Sequence, residues 1–217
     1  PNAISVQQVV EESLSTIMKE KITVVGAGRT DSGVHAKYFC AHFDYSKKII
    51  DKNDFLFKIN SFVSKEIFII NIHEVQENFH ARFNALSRSY EYVLTTQKDP
   101  FAINSAYFLK KHIDFGKMNL AAMALYDHSN FKCFSKSNTD VKTYNCEISN
   151  AKWSFNNGQW IFKISANRFL RNMVRAIVGT LIEIGENKYE IDHIEKVIMS
   201  KNRELAGYSV PAHGLYL

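Results

Sequence analysis

Apolar residues recur along the chain at two different spacings. Val6, Val9, Val10, Leu14, Ile17 and Met18 fall at helical intervals, which predicts an amphipathic helix over about residues 4–19. Lys21–Val25 is a short β-branched run and predicts a strand that enters a glycine-rich loop, Gly26 to Gly33. A second strand is expected around Lys37–Phe43, a helix on Phe55, Leu56, Ile59, Phe62 and Val63, and a buried strand over Ile67–Val75. Ser87–Thr95 alternates so that Arg88, Tyr90, Tyr92 and Leu94 share one face of a strand. A helix near Lys117–Tyr126 follows, then strands near Val141–Trp153 and Gln159–Ala166. The strongest helical pattern covers about residues 168–184, where the pairs 169/170, 173/174, 177/178 and 181/182 define a buried stripe. Strands separated by a few helices predict an α+β protein in two halves, divided near Asp99-Pro100 and sharing one continuous core.

Composition changes the picture little. The 217 residues are 46% hydrophobic and 23% charged, which excludes disorder and fibrous repeats. No stretch approaches the ~18 consecutive apolar residues of a membrane span, and Pro1-Asn2-Ala3 opens no secretory leader. Cys40, Cys133 and Cys146 are odd in number and far apart, which suits a reducing cytoplasm. Charge is more informative once divided. Residues 81–182 hold 14 Lys and Arg against 6 Asp and Glu, a net of +8 within a total of +5. Such a segment suits a polyanion-binding surface or a solvated basic face.

Three stretches carry candidate chemistry. The loop Gly26-Ala27-Gly28-Arg29-Thr30-Asp31-Ser32-Gly33 follows a strand but fits neither phosphate-loop template. The dinucleotide fingerprint needs glycine where Asp31 stands, and no Gly-Lys-Ser/Thr is present. Two readings remain: a loop that presents Asp31 to a large substrate, or a tight turn in which Asp31 bonds its own backbone. In the second stretch, Phe79-His80-Ala81-Arg82-Phe83 and Arg88-Ser89-Tyr90-Glu91-Tyr92 interleave basic and aromatic residues. Such residues grip phosphates and stack on bases, or else fill a core and cap a sheet edge. In the third, Arg168, Arg171 and Arg175 recur at i, i+3 and i+7, which predicts an arginine line on the long helix suited to reading anions. The eight histidines form no pair at metal-ligand spacing and no Cys-x-x-Cys occurs, so no metal or other cofactor is expected. Ser32 is not in a nucleophile elbow.

Together these motifs are recognisable. Gly28-Arg29-Thr30-Asp31-Ser32-Gly33-Val34-His35-Ala36 closely resembles the signature loop of the TruA family of tRNA pseudouridine synthases. The Phe79–Phe83 and Arg88–Tyr92 motifs, the Ala166–Thr180 segment and the ending Pro211-Ala212-His213-Gly214-Leu215-Tyr216-Leu217 resemble that family in the same order. Family members usually open with an additional strand and a Gly-Trp segment and continue past Leu217, so the sequence reads as trimmed at both ends.

The resemblance implies two RRM-like, ferredoxin-like halves sharing a mostly antiparallel central sheet flanked by helices. Residues 1–98 would carry the aspartate loop and residues 99–217 the arginine-rich helix, in one compact catalytic unit. It implies a cytoplasmic homodimer that isomerises uridine to pseudouridine in the anticodon stem-loop of tRNA, at tRNA positions 38, 39 and 40. Asp31 would be the catalytic carboxylate, Tyr90 the active-site tyrosine and Arg175 its basic partner, with Arg29, Arg88 and Arg82 also at the substrate. Arg168, Arg171 and Lys142 would grip RNA, Lys142 standing where the family tends to have arginine. The expected partner is tRNA, with no membrane and no small-molecule cofactor. A non-catalytic RNA-binding module on the same sheet is the alternative, and a nucleoside ribohydrolase would want a metal or a carboxylate cluster.

Overall fold

A computed structural model describes residues 4–137 and 141–217, so Pro1-Asn2-Ala3, read above as no leader, lies outside the described residues. The chain divides into two compact units. One contains residues up to Arg29 together with Phe39–Ala85, the other Thr30–Tyr38 together with Leu86–Leu217. Asp31, in the second half of the glycine-rich loop, and the first long strand therefore group with the C-terminal residues. Each unit has its own cluster of buried side chains where one continuous core was expected.

In the first unit, α1 (Val6–Met18) begins at Ser5, whose hydroxyl accepts from the Gln8 N–H, and stops at Lys19 in the left-handed conformation. α2 (Lys52–Phe62) begins at Asp51, whose carboxylate accepts from the Asn53 and Asp54 N–H groups. Leu14 and Met18 of α1 and Phe55 and Ile59 of α2 cluster with Ile22, Val24 and Val63. Among the described residues here, β1 (Val25–Gly26) and β2 (Ala41–His42) pair, antiparallel to each other. Before Val25 the first expected strand, and throughout Ile67–Val75 another, form no ladder, and side chains serve parts of their backbones instead. The Ile22 N–H donates to Ser15 Oγ and the Val24 N–H to Glu11 Oε1. In the Ile67–Val75 run, Asn60 both accepts from the Ile69 N–H and donates to the Ile69 carbonyl. That run is largely exposed, with only Ile67, Ile69 and Ile72 half-buried.

The second unit is built on a five-stranded, mostly antiparallel sheet flanked by helices. β3 (Arg88–Thr95) is paired on one side by β6 (Gln159–Ala166), which in turn pairs with β5 (Ile148–Asn156). On its other side β3 takes β4 (Tyr107–Phe108) in parallel and β7 (Leu215–Tyr216) antiparallel. Asn157 and Gly158, with φ of 47° and 79°, close the β5–β6 hairpin, as two left-handed residues do in the turn that matches strand twist. Tyr92 and Leu94 share the face predicted for them and are fully buried, with Arg88 and Tyr90 following at the half-buried end of the strand. α3 (Phe115–Met123), α4 (Met173–Gly185) and α5 (His193–Ser200) contribute to the same core.

α4 begins later than its apolar pattern predicts. Asn172 is left-handed, with φ of 68°, so Arg168 and Arg171 lie in a non-helical approach and only Arg175 is on the helix. The arginine line expected at i, i+3 and i+7 is therefore not a helix stripe. Gly179, midway along α4, lets the backbone of residues 207–208 pass against the helix; a Cβ there would collide with the Tyr208 carbonyl. Thr180 Oγ1 accepts from the Gly207 N–H at this crossing, at 2.8 Å.

Candidate active site

Asp31 opens a four-residue turn in which the Val34 N–H donates to the Asp31 carbonyl at 3.1 Å. Gly33 is left-handed at φ 82°, a conformation costly for a side-chain-bearing residue. The Asp31 main chain closes the turn, and its carboxylate is engaged elsewhere, by arginines. The turn is then tied down. The His35 N–H donates to the Leu215 carbonyl, the Leu217 N–H donates to the His35 carbonyl, and the His35 ring stacks on Tyr216 at 4.7 Å. Since β7 pairs with β3 through Glu91 and Tyr92, Asp31 is registered to the strand that carries Tyr90.

Two arginines flank the carboxylate. Arg175 Nη1 lies 3.4 Å from Asp31 Oδ2, and Arg171 Nε lies 3.5 Å from Oδ1. The environments differ: the Arg175 side chain is 20% exposed and Arg171 57%, against 28% for Asp31. Arg175 is held from behind as well, its Nε donating to the Val210 carbonyl at 2.7 Å. The 206–211 segment that supplies this acceptor is anchored by Arg203, which donates to the Ala206 and Gly207 carbonyls and to Ser209 Oγ. Asn172 Nδ2 donates to the same Ser209 hydroxyl at 2.7 Å.

Tyr90 stands edge-on to Phe169, 5.2 Å between centroids. Burial pushes its phenol above the ordinary value of 10.0; Arg88 opposes that rise and the Asp31 charge adds to it. The hydroxyl is therefore a neutral donor at physiological pH. Arg88 Nη1 donates to the Asn167 carbonyl and Arg168 Nη1 to the Thr143 carbonyl, so both brace the approach to α4. Lys142 is exposed one residue away from Thr143. The structure thus brings Asp31, Tyr90, Arg171 and Arg175 together. Arg29 and Arg82 belong to the first unit, where both are exposed and the Arg82 guanidinium lies 5.8 Å from the Phe83 ring centre.

Sequence reasoning missed Arg171 as a neighbour of Asp31, Phe169 as the wall of Tyr90, and the Val210 carbonyl as the rest for Arg175. Arg171 and Phe169 were read onto a helix that had not yet begun. Val210 acts through its backbone, which leaves no side-chain signal; only the neighbouring Pro211–Leu217 motif marked the region. Among the described residues no group of three or more His, Cys, Asp or Glu is placed to hold a metal ion. No helix among them is long and apolar enough to cross a membrane.

Comparison with known proteins adds an independent line. A family profile described as tRNA pseudouridine synthase matches residues 121–217. A tRNA pseudouridine synthase A of Parabacteroides distasonis is 48% identical over 217 residues, covering 100% of this chain and 86% of the relative. That of Porphyromonas gingivalis is 47% identical, covering 100% and 87%. A more distant relative of the same name, from Bacillus pumilus, is 37% identical, covering 100% and 89%.

Proposed function

The chain belongs to the tRNA pseudouridine synthase family, and from that premise we propose that it isomerises uridine to pseudouridine in the anticodon stem-loop of tRNA, at positions 38, 39 and 40, with Asp31 as the catalytic carboxylate. The observation that carries the assignment of the site is the Asp31 carboxylate between Arg171 and Arg175, with Tyr90 on the adjoining strand.

The reaction is an isomerisation. The bond from the ribose anomeric carbon to uracil N1 breaks, the base turns, and a bond forms from the same carbon to C5. C5 loses its proton to solvent and N1 gains one, so no oxidant, water or nucleotide is consumed. A carboxylate serves by adding to the anomeric carbon, by adding to the base, or by taking a ribose proton, and each of these requires the ionised form. Two guanidinium groups lie 3.4 and 3.5 Å from its oxygens, where they can screen it from the RNA phosphates. The base must leave its stack to reach Asp31. The Tyr90 ring, set by Phe169, offers a flat surface for it, and its phenol a hydrogen bond.

Arg29, Arg82, Arg88, Arg168 and Lys142 are assigned to the RNA, and all but Arg29 fall in the segment of net charge +8, residues 81–182. The protein acts as a homodimer in the cytoplasm, a reading that rests on the family resemblance and on three dispersed cysteine thiols. Tritium release from tRNA labelled at uridine C5, with the product nucleoside identified, tests the reaction. Release from one stem-loop only, mapped by reverse transcription after carbodiimide treatment, supports the anticodon assignment. Release confined to another stem would overturn it.

A further inference from the structure

A second basic feature lies beside the site. A cleft of about 410 Å³ is lined by Lys132, Lys136, Lys201 and Arg203, with Tyr144 and one carboxylate, Glu204. Ligand pockets begin near ~300 Å³, so its size admits a nucleotide unit and not merely an ion. Lys132 comes from the short helical turn at Lys132–Phe134, and its ammonium lies 5.7 Å from the centre of the Tyr144 ring. Lys201 ends α5 in the left-handed conformation. Arg203 spends three of its five N–H groups on the Ala206 and Gly207 carbonyls and on Ser209 Oγ. That fixes the guanidinium, leaving the charge in place without rotamer freedom to lose on binding.

We propose that this cleft holds a backbone phosphodiester of the RNA substrate, with Lys132, Lys201 and Arg203 as its cationic contacts; this rests on the tRNA reading of the neighbouring site. Among the described residues, Lys132, Lys201 and Arg203 outnumber the Glu204 carboxylate in the lining, which suits a polyanion. With the Tyr144 face close to an ammonium, the lining offers charge more than a stacking surface for a base. Hydrogen bonds also tie the lining of the cleft to the Asp31 cluster. The Lys136 N–H donates to the carbonyl of Arg171, the arginine 3.5 Å from Asp31. Arg203 grips the segment whose Val210 carbonyl supports Arg175. A phosphate bound here therefore registers the RNA backbone against the two loops that aim both arginines. Contacts of this kind position a nucleic acid without reading its sequence.

The test is the double variant Lys132→Ala/Lys201→Ala, measured by filter binding of tRNA across a salt series and by tritium release at saturating tRNA. Affinity at moderate salt should fall about tenfold, and the slope of log affinity against log salt should shrink by about one, the signature of one lost phosphate contact. The melting temperature should be unchanged, and the loss should appear in affinity more than in the maximal rate. An unaltered slope, or a loss confined to the maximal rate, would overturn the proposal. Glu204→Gln provides a second reading that needs no loss of binding: removing the carboxylate should tighten tRNA binding, and an unchanged affinity counts against the cleft. Wild-type protein that binds tRNA but releases no tritium would instead overturn the reaction assignment, leaving the salt slope to decide the cleft.

Discussion

Arg175 reaches Asp31 with one arm of its guanidinium while its Nε donates to the Val210 carbonyl, at 3.4 and 2.7 Å respectively. The arginine is thereby positioned by backbone and is not free to follow the carboxylate. Arg175→Ala should lower the maximal rate more than a hundredfold while tRNA affinity changes less than threefold. Arg175→Lys should rescue poorly, since an ammonium cannot serve carbonyl and carboxylate together with one planar fork. Arg171→Ala, removing the more exposed of the two, should cost the smaller part of the rate. Single-turnover kinetics with separate binding measurements distinguish these outcomes. Equal losses for both arginines, expressed only in affinity, would make them RNA clamps.

Residues that fold locally or repeat a family motif were legible in the sequence. Alternation places Arg88, Tyr90, Tyr92 and Leu94 on one strand face, whereas the spacing of the glycine loop leaves two readings open and only the family resemblance singles out Asp31. What escaped depends on partners distant in the chain. The Ile67–Val75 run has the composition of a strand, yet Asn60 satisfies the Ile69 backbone that a neighbouring strand would otherwise pair. The pattern from Arg168 onward is helical, yet the left-handed Asn172 delays the helix and turns Arg171 toward Asp31. No periodicity encodes that choice, because it follows from the Asn172–Ser209 hydrogen bond across 37 residues.

Gly179→Ala tests the crossing that carries Val210 past α4. The added methyl would meet the Tyr208 carbonyl, and the helix backbone cannot give way cheaply. Overpacking of this kind costs about 1–3 kcal/mol or more. A drop of several degrees in melting temperature is expected. An unchanged melting curve would show that residues 207–210 are free to shift.

Stability should carry a pH signature from Glu91. Hydrogen bonds from Lys163 and then Lys37, at 2.9 and 2.6 Å, hold its carboxyl below the ordinary 4.5. A depressed carboxyl stabilises the fold above its unfolded value and loses that contribution as pH falls through the folded value. Glu91→Gln should therefore be less stable than wild type at neutral pH, by at most about 1 kcal/mol because both lysines are exposed. The difference should shrink on acidification below 4.5 and vanish once both proteins are uncharged at this position. Denaturant titrations at neutral and acid pH check it; a difference independent of pH would assign Glu91 a packing role.

Tyr90→Phe keeps the ring against Phe169 and removes only the hydroxyl. Turnover should fall about tenfold to a hundredfold with tRNA affinity nearly intact, whereas Tyr90→Ala should weaken both. Because burial raises the phenol above 10.0, wild-type activity should show no loss from tyrosine ionisation up to about pH 9. A basic limb near neutrality that disappears in Tyr90→Phe would contradict this.

The central claim is that Asp31 performs the chemistry and the basic surface performs the binding. Asp31→Asn keeps the size of the side chain and the Gly33 turn but removes the charge between Arg171 and Arg175. Tritium release from uridine-labelled tRNA, measured beside filter binding of the same tRNA, separates the two functions. The account predicts that release falls at least a thousandfold while the dissociation constant stays within threefold. Turnover within tenfold of wild type would contradict it.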